Sequence, residues 1–166
     1  MRQFNDIDPA TIEKQNSVVA KYIDPNNENN KWFFLIIDNH MIIANIEYLK
    51  HKKKWLHYQI EFPKKGLPWF LETTEEKFFK NESEGGLKKG KFHDIISIDG
   101  ERLKVDRAFN ADGQGNTGYS FVTLDRKEYE MSKEFIFTDD LLFNQGLFQL
   151  FREIASIIAT DQLEGF

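Results

Sequence analysis

The stretch KWFFLIIDNHMIIANIEYL, Lys31–Leu49, decides how this chain is to be read. Its opening run, Trp32–Ile37, is six consecutive apolar residues, far short of the roughly 18 that a membrane-spanning helix requires. Asn39 and His40 interrupt the run, and beyond them Ile42, Ala44, Ile46 and Tyr48 fall on one face by the two-residue period of a strand. A buried β-hairpin is the economical reading. The next segment, KWLHYQIEF, alternates without a fault: Leu56, Tyr58, Ile60 and Phe62 face one way, and Trp55, His57, Gln59 and Glu61 face the other. Lys50–Lys54 then form the tip between the second and third strands of a growing meander.

Working outward, Asp8 followed by Pro9 resembles an N-cap and first helical position, so a helix and loop are expected within residues 1–30. Ser17–Ile23 either continues that helix or starts a strand. Downstream of the meander, Thr73 with Glu76 fits a capping box ahead of Phe78 and Phe79, and Pro68 suits a preceding turn, which predicts a loop and a short helix. NESEGGLKKG, Asn81–Gly90, is a polar, glycine-rich connection. Strand signals then return in FHDIISI and ERLKVDRAF, joined by Asp99-Gly100, a pair suited to a type I′ turn, and again in YSFVTLDR and EYEMSKEFIF. A long helix is predicted from about Asp139 to Ala159, capped by Thr138, because Gln145, Gln149, Arg152, Ser156 and Thr160 recur at spacings of three and four, leaving Leu142, Leu147, Leu150, Phe151, Ile154, Ile157 and Ile158 to cover a broad apolar face. The expectation is an α+β fold: one antiparallel sheet of about six to eight strands, a short central helix, and the C-terminal helix packed on one face. All of it fits a single domain over 1–166, with its sheet and helix core in 31–160.

Sixteen phenylalanines, three tryptophans and five tyrosines supply the apolar area for such a core. Cysteine is absent, which removes disulfides, thiol nucleophiles and zinc–thiolate sites. The first fifteen residues carry acids and amides where a signal peptide needs an apolar run, so a cytoplasmic, soluble protein without a membrane partner is expected. The net charge of −5 is uneven: residues 50–91 hold eleven lysines against six glutamates, and residues 101–166 hold seven basic against twelve acidic residues.

Gly113, Gly115 and Gly118 stand in the spacing G-x-G-x-x-G of a dinucleotide cradle. That cradle opens a helix, whereas YSFVTLDR follows here with strand alternation, leaving no helix N-terminus for a pyrophosphate. A calcium loop from Asn110 fails too, since Phe121 stands where the bidentate glutamate belongs. His40, His51, His57 and His93 are scattered, with no H-x-x-x-H pair on a helix. The expectation is therefore no catalytic residue, no cofactor and no metal: not an enzyme.

Two binding signals remain. Lys52, Lys53 and Lys54 run into Trp55 and Tyr58, and Lys64, Lys65, Lys88, Lys89 and Lys91 could join them, the mixture of charge and rings used by single-strand nucleic-acid binders. Against them stand Asp106, Asp112, Asp125, Glu128, Glu130, Asp139 and Asp140, in or beside loops that two hairpins could bring together, a surface suited to a basic protein partner.

Taken with KWFFLIIDNHMIIANIEYL, the GLPWF turn at Gly66–Phe70 and the terminal LFQLFREIASII helix, the chain resembles immunity proteins of bacterial contact-dependent growth inhibition systems over most of residues 31–160. The resemblance implies a cytoplasmic, non-catalytic inhibitor that binds the toxic C-terminal domain of a cognate effector, often a basic nuclease, and occludes it. The acidic set would then be the partner-binding surface. A single-stranded nucleic-acid module built on residues 50–91 is the alternative.

Overall fold

The computed structural model describes the backbone of residues 1–164 and the side chains of residues 1–160. Its first half is a meander of four antiparallel strands, β1 (Val18–Asp24), β2 (Asn27–Ile37), β3 (His40–Leu49) and β4 (Lys54–Pro63). The hairpin at 31–49 stands as read, with Phe34 opposite Ile43 and Trp32 opposite Asn45. Its turn is Asp38-Asn39, both at positive φ (46° and 64°), one residue earlier than the interruption in the apolar pattern. Helix α1 (Gly66–Thr73) follows and runs into a π-helical turn, Thr74–Phe78. A second meander comprises β5 (His93–Ile98), β6 (Glu101–Ala108), β7 (Gly118–Glu128) and β8 (Met131–Thr138). A π-helical turn at Asp140–Asn144 and the reversal at Gly146 (φ 84°) lead into α2, Leu147–Glu164.

The fold is α+β, but the eight strands form two four-stranded sheets rather than the single sheet expected. Tight turns at Asp38-Asn39, Asp99-Gly100 and Tyr129-Glu130, all at positive φ, pair β2 with β3, β5 with β6 and β7 with β8. Between β4 and β5 the chain passes through α1 and a long loop, so β5 starts a new sheet instead of extending the old one.

The sheets face each other across one aromatic core. Phe62 of β4 lies 4.5 Å from Phe121 of β7, and Tyr58 lies 5.2 Å from Phe135 of β8. The C-terminal helix packs against the first sheet and also reaches the second. Phe151 of α2 is 5.7 Å from Phe34 of β2, 5.6 Å from Phe137 of β8 and 5.8 Å from Phe70 of α1. These residues are essentially solvent-free, and each fully buried side chain of this size stabilises the fold by roughly 1.5–3 kcal/mol through removal of apolar area from water.

The N-terminal region departs from the helix and loop expected. Asp8 makes a turn, its carboxylate accepting from the Ala10 amide at 2.9 Å, and only a single 3-10 turn (Ile12–Lys14) precedes β1. Residues 1–16 instead lie across the outer face of the first sheet, where Phe4, Ile7 and Ile12 pack on Phe33, Leu35, Ile42, Ala44 and Ile46. Gln59 of β4 fastens this strap: its carbonyl accepts from the Ile7 amide at 3.0 Å and its amide donates to the Asn5 carbonyl at 3.1 Å. The first sheet is thus covered on both faces, which is why β2 and β3 read as nearly continuous apolar runs.

The three glycines of the G-x-G-x-x-G spacing each have a local cause. Gly113 and Gly115 take left-handed turn conformations (φ 79° and 87°). Gly118 opens β7, where a Cβ would strike the carbonyl oxygen of Phe137 on the neighbouring strand. The motif is a hairpin loop, as its following strand indicates.

Candidate functional site

The β6–β7 loop and the segment after β8 become neighbours because Gly118 pairs with Thr138 and the Asp139 amide donates to the Thr117 carbonyl at 2.9 Å. This register brings Asp112, Asp139 and Asp140 together, and the end of β1 adds Asp24, which no local pattern marks. The four carboxylates share an open depression of about 590 Å³ with Asn26 and Asn116. No lysine or arginine is among its described lining residues.

Each acid is held in place. Asp112 organises its own loop by accepting from the Gln114 amide at 2.9 Å and from Asn116 Nδ2 at 2.6 Å, and these bonds lower its pKa, the one from Asn116 most. Asp139 takes a bidentate pair from Arg107 at 2.6 and 2.7 Å and a hydroxyl bond from Thr117 at 2.6 Å. The Arg107 guanidinium is the main reason its carboxyl sits below the usual carboxylate range. Asp140 accepts from Asn144 at 3.0 Å, and Asp24 from the Asn26 amide at 2.8 Å. The result is an ordered array of carboxylates built from three separate segments of chain, with the charge of Asp139 matched by Arg107.

The other four acids of the expected surface lie elsewhere. Asp106 is on the outer face of the second sheet, paired with Lys104 at 3.0 Å. Asp125 is bound by Arg102 at 2.7 Å, because a bulge in β7 between Thr123 and Lys127 changes the strand's facing. Glu128 and Glu130 are exposed at the β7–β8 turn. The strands hold these groups apart, so the seven acids do not form one patch.

The lysine and aromatic set also divides. Lys52, Lys53 and Lys54 stand exposed at the β3–β4 tip, and Trp55, half exposed, stacks on Tyr48 at 4.9 Å. Tyr58 is turned inward: its hydroxyl oxygen accepts from the Glu134 amide at 3.0 Å, and burial is the chief cause of its raised pKa. It cannot offer a face to a base while so engaged. Lys64 is buried, and Lys88, Lys89 and Lys91 line a different cleft.

The same β7 bulge turns Arg126 into the interior, where its Nε donates to Glu101 at 2.7 Å while His40 Nε2 lies 2.8 Å from the other Glu101 oxygen. Burial pushes the Glu101 pKa up, but the hydrogen bonds from Arg126 and His40 outweigh it and hold it below the ordinary range. Glu61 is paired in turn with Lys133 at 3.2 Å. The Arg126–Glu101 and Lys133–Glu61 ion pairs, with the His40–Glu101 hydrogen bond, tie β3, β4, β6, β7 and β8 together across the two sheets. Arg126 Nη2 and His57 Nε2 are buried without a hydrogen-bond partner, and the Arg126 guanidinium lies 5.5 Å from the Phe4 ring of the strap. Among the described residues, no group of three or more His, Asp or Glu is placed to hold a metal ion, and no helix is long and apolar enough to cross a membrane.

No protein-family model matches this chain, and no curated protein or solved structure matches it either. Its geometry has to speak for it.

Proposed function

We propose that the chain is a non-catalytic inhibitor of the immunity type, which binds a basic toxin domain, a nuclease by preference, and neutralises it by stoichiometric occlusion in the cytoplasm. One observation carries this reading: Asp24, Asp112, Asp139 and Asp140, from three separate segments, line a single depression with no lysine or arginine among its described lining residues. A nuclease presents cations where it holds phosphate, and a preformed array of carboxylates is complementary to that surface. Rigidity adds to the fit. Because Asp112 and Asp139 are already locked by hydrogen bonds, little side-chain freedom remains to be lost on docking.

The test is a growth rescue. A partner captured from the native host by the tagged chain is identified, expressed alone, and then co-expressed with the wild-type chain. The reading expects a basic protein that arrests growth alone and is tolerated with the chain present. Reversing Asp112 and Asp140 to lysine, with Asp139 left in its structural pair, should abolish rescue while the circular dichroism spectrum stays unchanged. An acidic or harmless partner, or full rescue by the double reversal, would overturn it.

A further inference from the structure

On the other side of Arg107 lies a surface of opposite character. A cleft of about 640 Å³ opens between the 77–92 segment and the start of β7, and Lys77, Lys80, Lys88, Lys89, Lys91 and Arg107 line it, with Glu82 the one acid among its described lining residues. The glycine-rich connection that forms one wall is tied down along its length. Asn81 and Glu84 make a reciprocal capping box, the Leu87 amide donates to the Lys77 carbonyl at 3.0 Å, and the Arg107 amide donates to the Phe92 carbonyl at 2.8 Å. Gly85 and Gly90 supply the positive φ (97° and 86°) that the reversals require. The segment therefore presents Lys88, Lys89 and Lys91 on a defined rim, and none of the three makes an ion pair among the described residues.

Aromatic rings complete the cleft. Phe92 and Phe109 meet edge to face at 5.1 Å, yet remain 50% and 58% exposed, an exposure the fold does not need. Tyr119 lies deeper, its ring 5.4 Å from Phe78 and covered by the Arg107 guanidinium at 4.6 Å. Lysines free of carboxylates are suited to phosphates, and exposed rings beside them are suited to unpaired bases, whose faces a duplex keeps covered. An acidic peptide would use the charge and leave both rings without a partner.

We propose that this cleft binds single-stranded nucleic acid, with the Lys88–Lys91 rim on the phosphates and Phe92 and Phe109 stacking on bases. The site is separate from the acidic depression and stands or falls independently of the inhibitor reading. It also differs from the lysine tip at Lys52–Lys54.

The experiment is fluorescence anisotropy of the full chain with a labelled single-stranded oligothymidylate of about twelve nucleotides, the length that a small binding surface spans, titrated across a range of salt. Binding at low salt should weaken as salt rises. Changing Lys88, Lys89 and Lys91 together to glutamine should reduce the slope of log K against log salt by about 2, the number expected for three single-strand phosphate contacts. F109A should weaken binding about fivefold or more, as loss of one stacked base does, and Phe109 is exposed enough that the variant should keep the wild-type melting temperature. The triple change Lys52→Gln, Lys53→Gln, Lys54→Gln should leave affinity unaltered. Absence of binding at low salt, equal affinity for polyglutamate or for a duplex of the same length, or loss of binding in the 52–54 variant but not in the 88–91 variant would each overturn the assignment.

Discussion

Ile42, on the outer face of β3, is 1% exposed, whereas Ile95 and Ile136, on the outer faces of β5 and β8, are 50% and 43% exposed. The two sheets share one topology, so the difference comes from what lies over them. Residues 1–16 cover the first sheet, and among the described residues the second has no counterpart. Its outer face carries Ile95, Lys104, Asp106, Glu134 and Ile136 in open or half-open positions, and its loops carry Asp112, Phe109 and Tyr129. The first sheet buries the side chains of both faces, while the second leaves charge and rings exposed on one.

That contrast can be broken or sharpened by substitution. F34A removes a solvent-free ring that meets Phe151 and should cost about 3–5 kcal/mol in urea denaturation, the range for emptying a core phenylalanine site. A much smaller loss would show that the first sheet is less committed than its burial indicates. E101Q comes next. It leaves Arg126 buried without its counter-charge and should cost about 3 kcal/mol at neutral pH. The pH dependence follows the same residue. Because the folded state holds Glu101 below its unfolded value, the stabilisation is complete above the ordinary carboxylate range and is lost as pH falls through the folded value. Thermal melts from neutral to acid pH should therefore show a steeper fall for the wild type than for E101Q.

Loosening the strap is a milder change. Q59A deprives the Ile7 amide and the Asn5 carbonyl of their partners and should cost about 1–3 kcal/mol. Limited proteolysis should then cut within residues 1–16 before the rest of the chain, and a wild-type cleavage pattern would show that the apolar contacts of Phe4, Ile7 and Ile12 suffice alone. I95T should have the smallest effect, within about 0.5 kcal/mol, as surface changes do. If it cost as much as I42T, the outer face of the second sheet would not be bare.

What could be read from the residues was what local spacing controls. The 31–49 hairpin, the alternation of β4, the Asp99-Gly100 turn and the buried stripe Leu147, Phe151, Ile154, Ile158 of α2 all depend on neighbours a few positions away. Alternation says which face a side chain takes, and it is silent on which strands beyond a hairpin become neighbours. One sheet and two sheets therefore looked alike. The capping-box reading of Thr73 and Glu76 placed the central helix too late; α1 starts at Gly66 with Pro68 in its first turn, and the Thr73 hydroxyl donates to Asp94 at 2.5 Å. Asp8-Pro9 looked like a helix start, but Ile7 and Ile12 gain more by packing on the sheet than by forming a helix with no partner. Asp112 and Asp139 line one depression because the loop and turn that carry them flank paired strands. Lys88, Lys89 and Lys91 read as candidates beside the wrong rings: Phe109 joins them through the backbone bond from Arg107 to Phe92 and the Phe92–Phe109 ring contact, neither of which local spacing reports.

Arg107 stands on the border between the acidic depression and the basic cleft, and its guanidinium is already taken by Asp139 at 2.6 Å. Its Nη1 also donates to the Gly118 carbonyl at 3.1 Å, so one side chain fastens β6 to the opening of β7 and to the segment after β8. The wall between the two surfaces is therefore a hydrogen-bonded clamp, and R107A would leave the Asp139 carboxylate without its cation on one side and uncover the Tyr119 ring on the other.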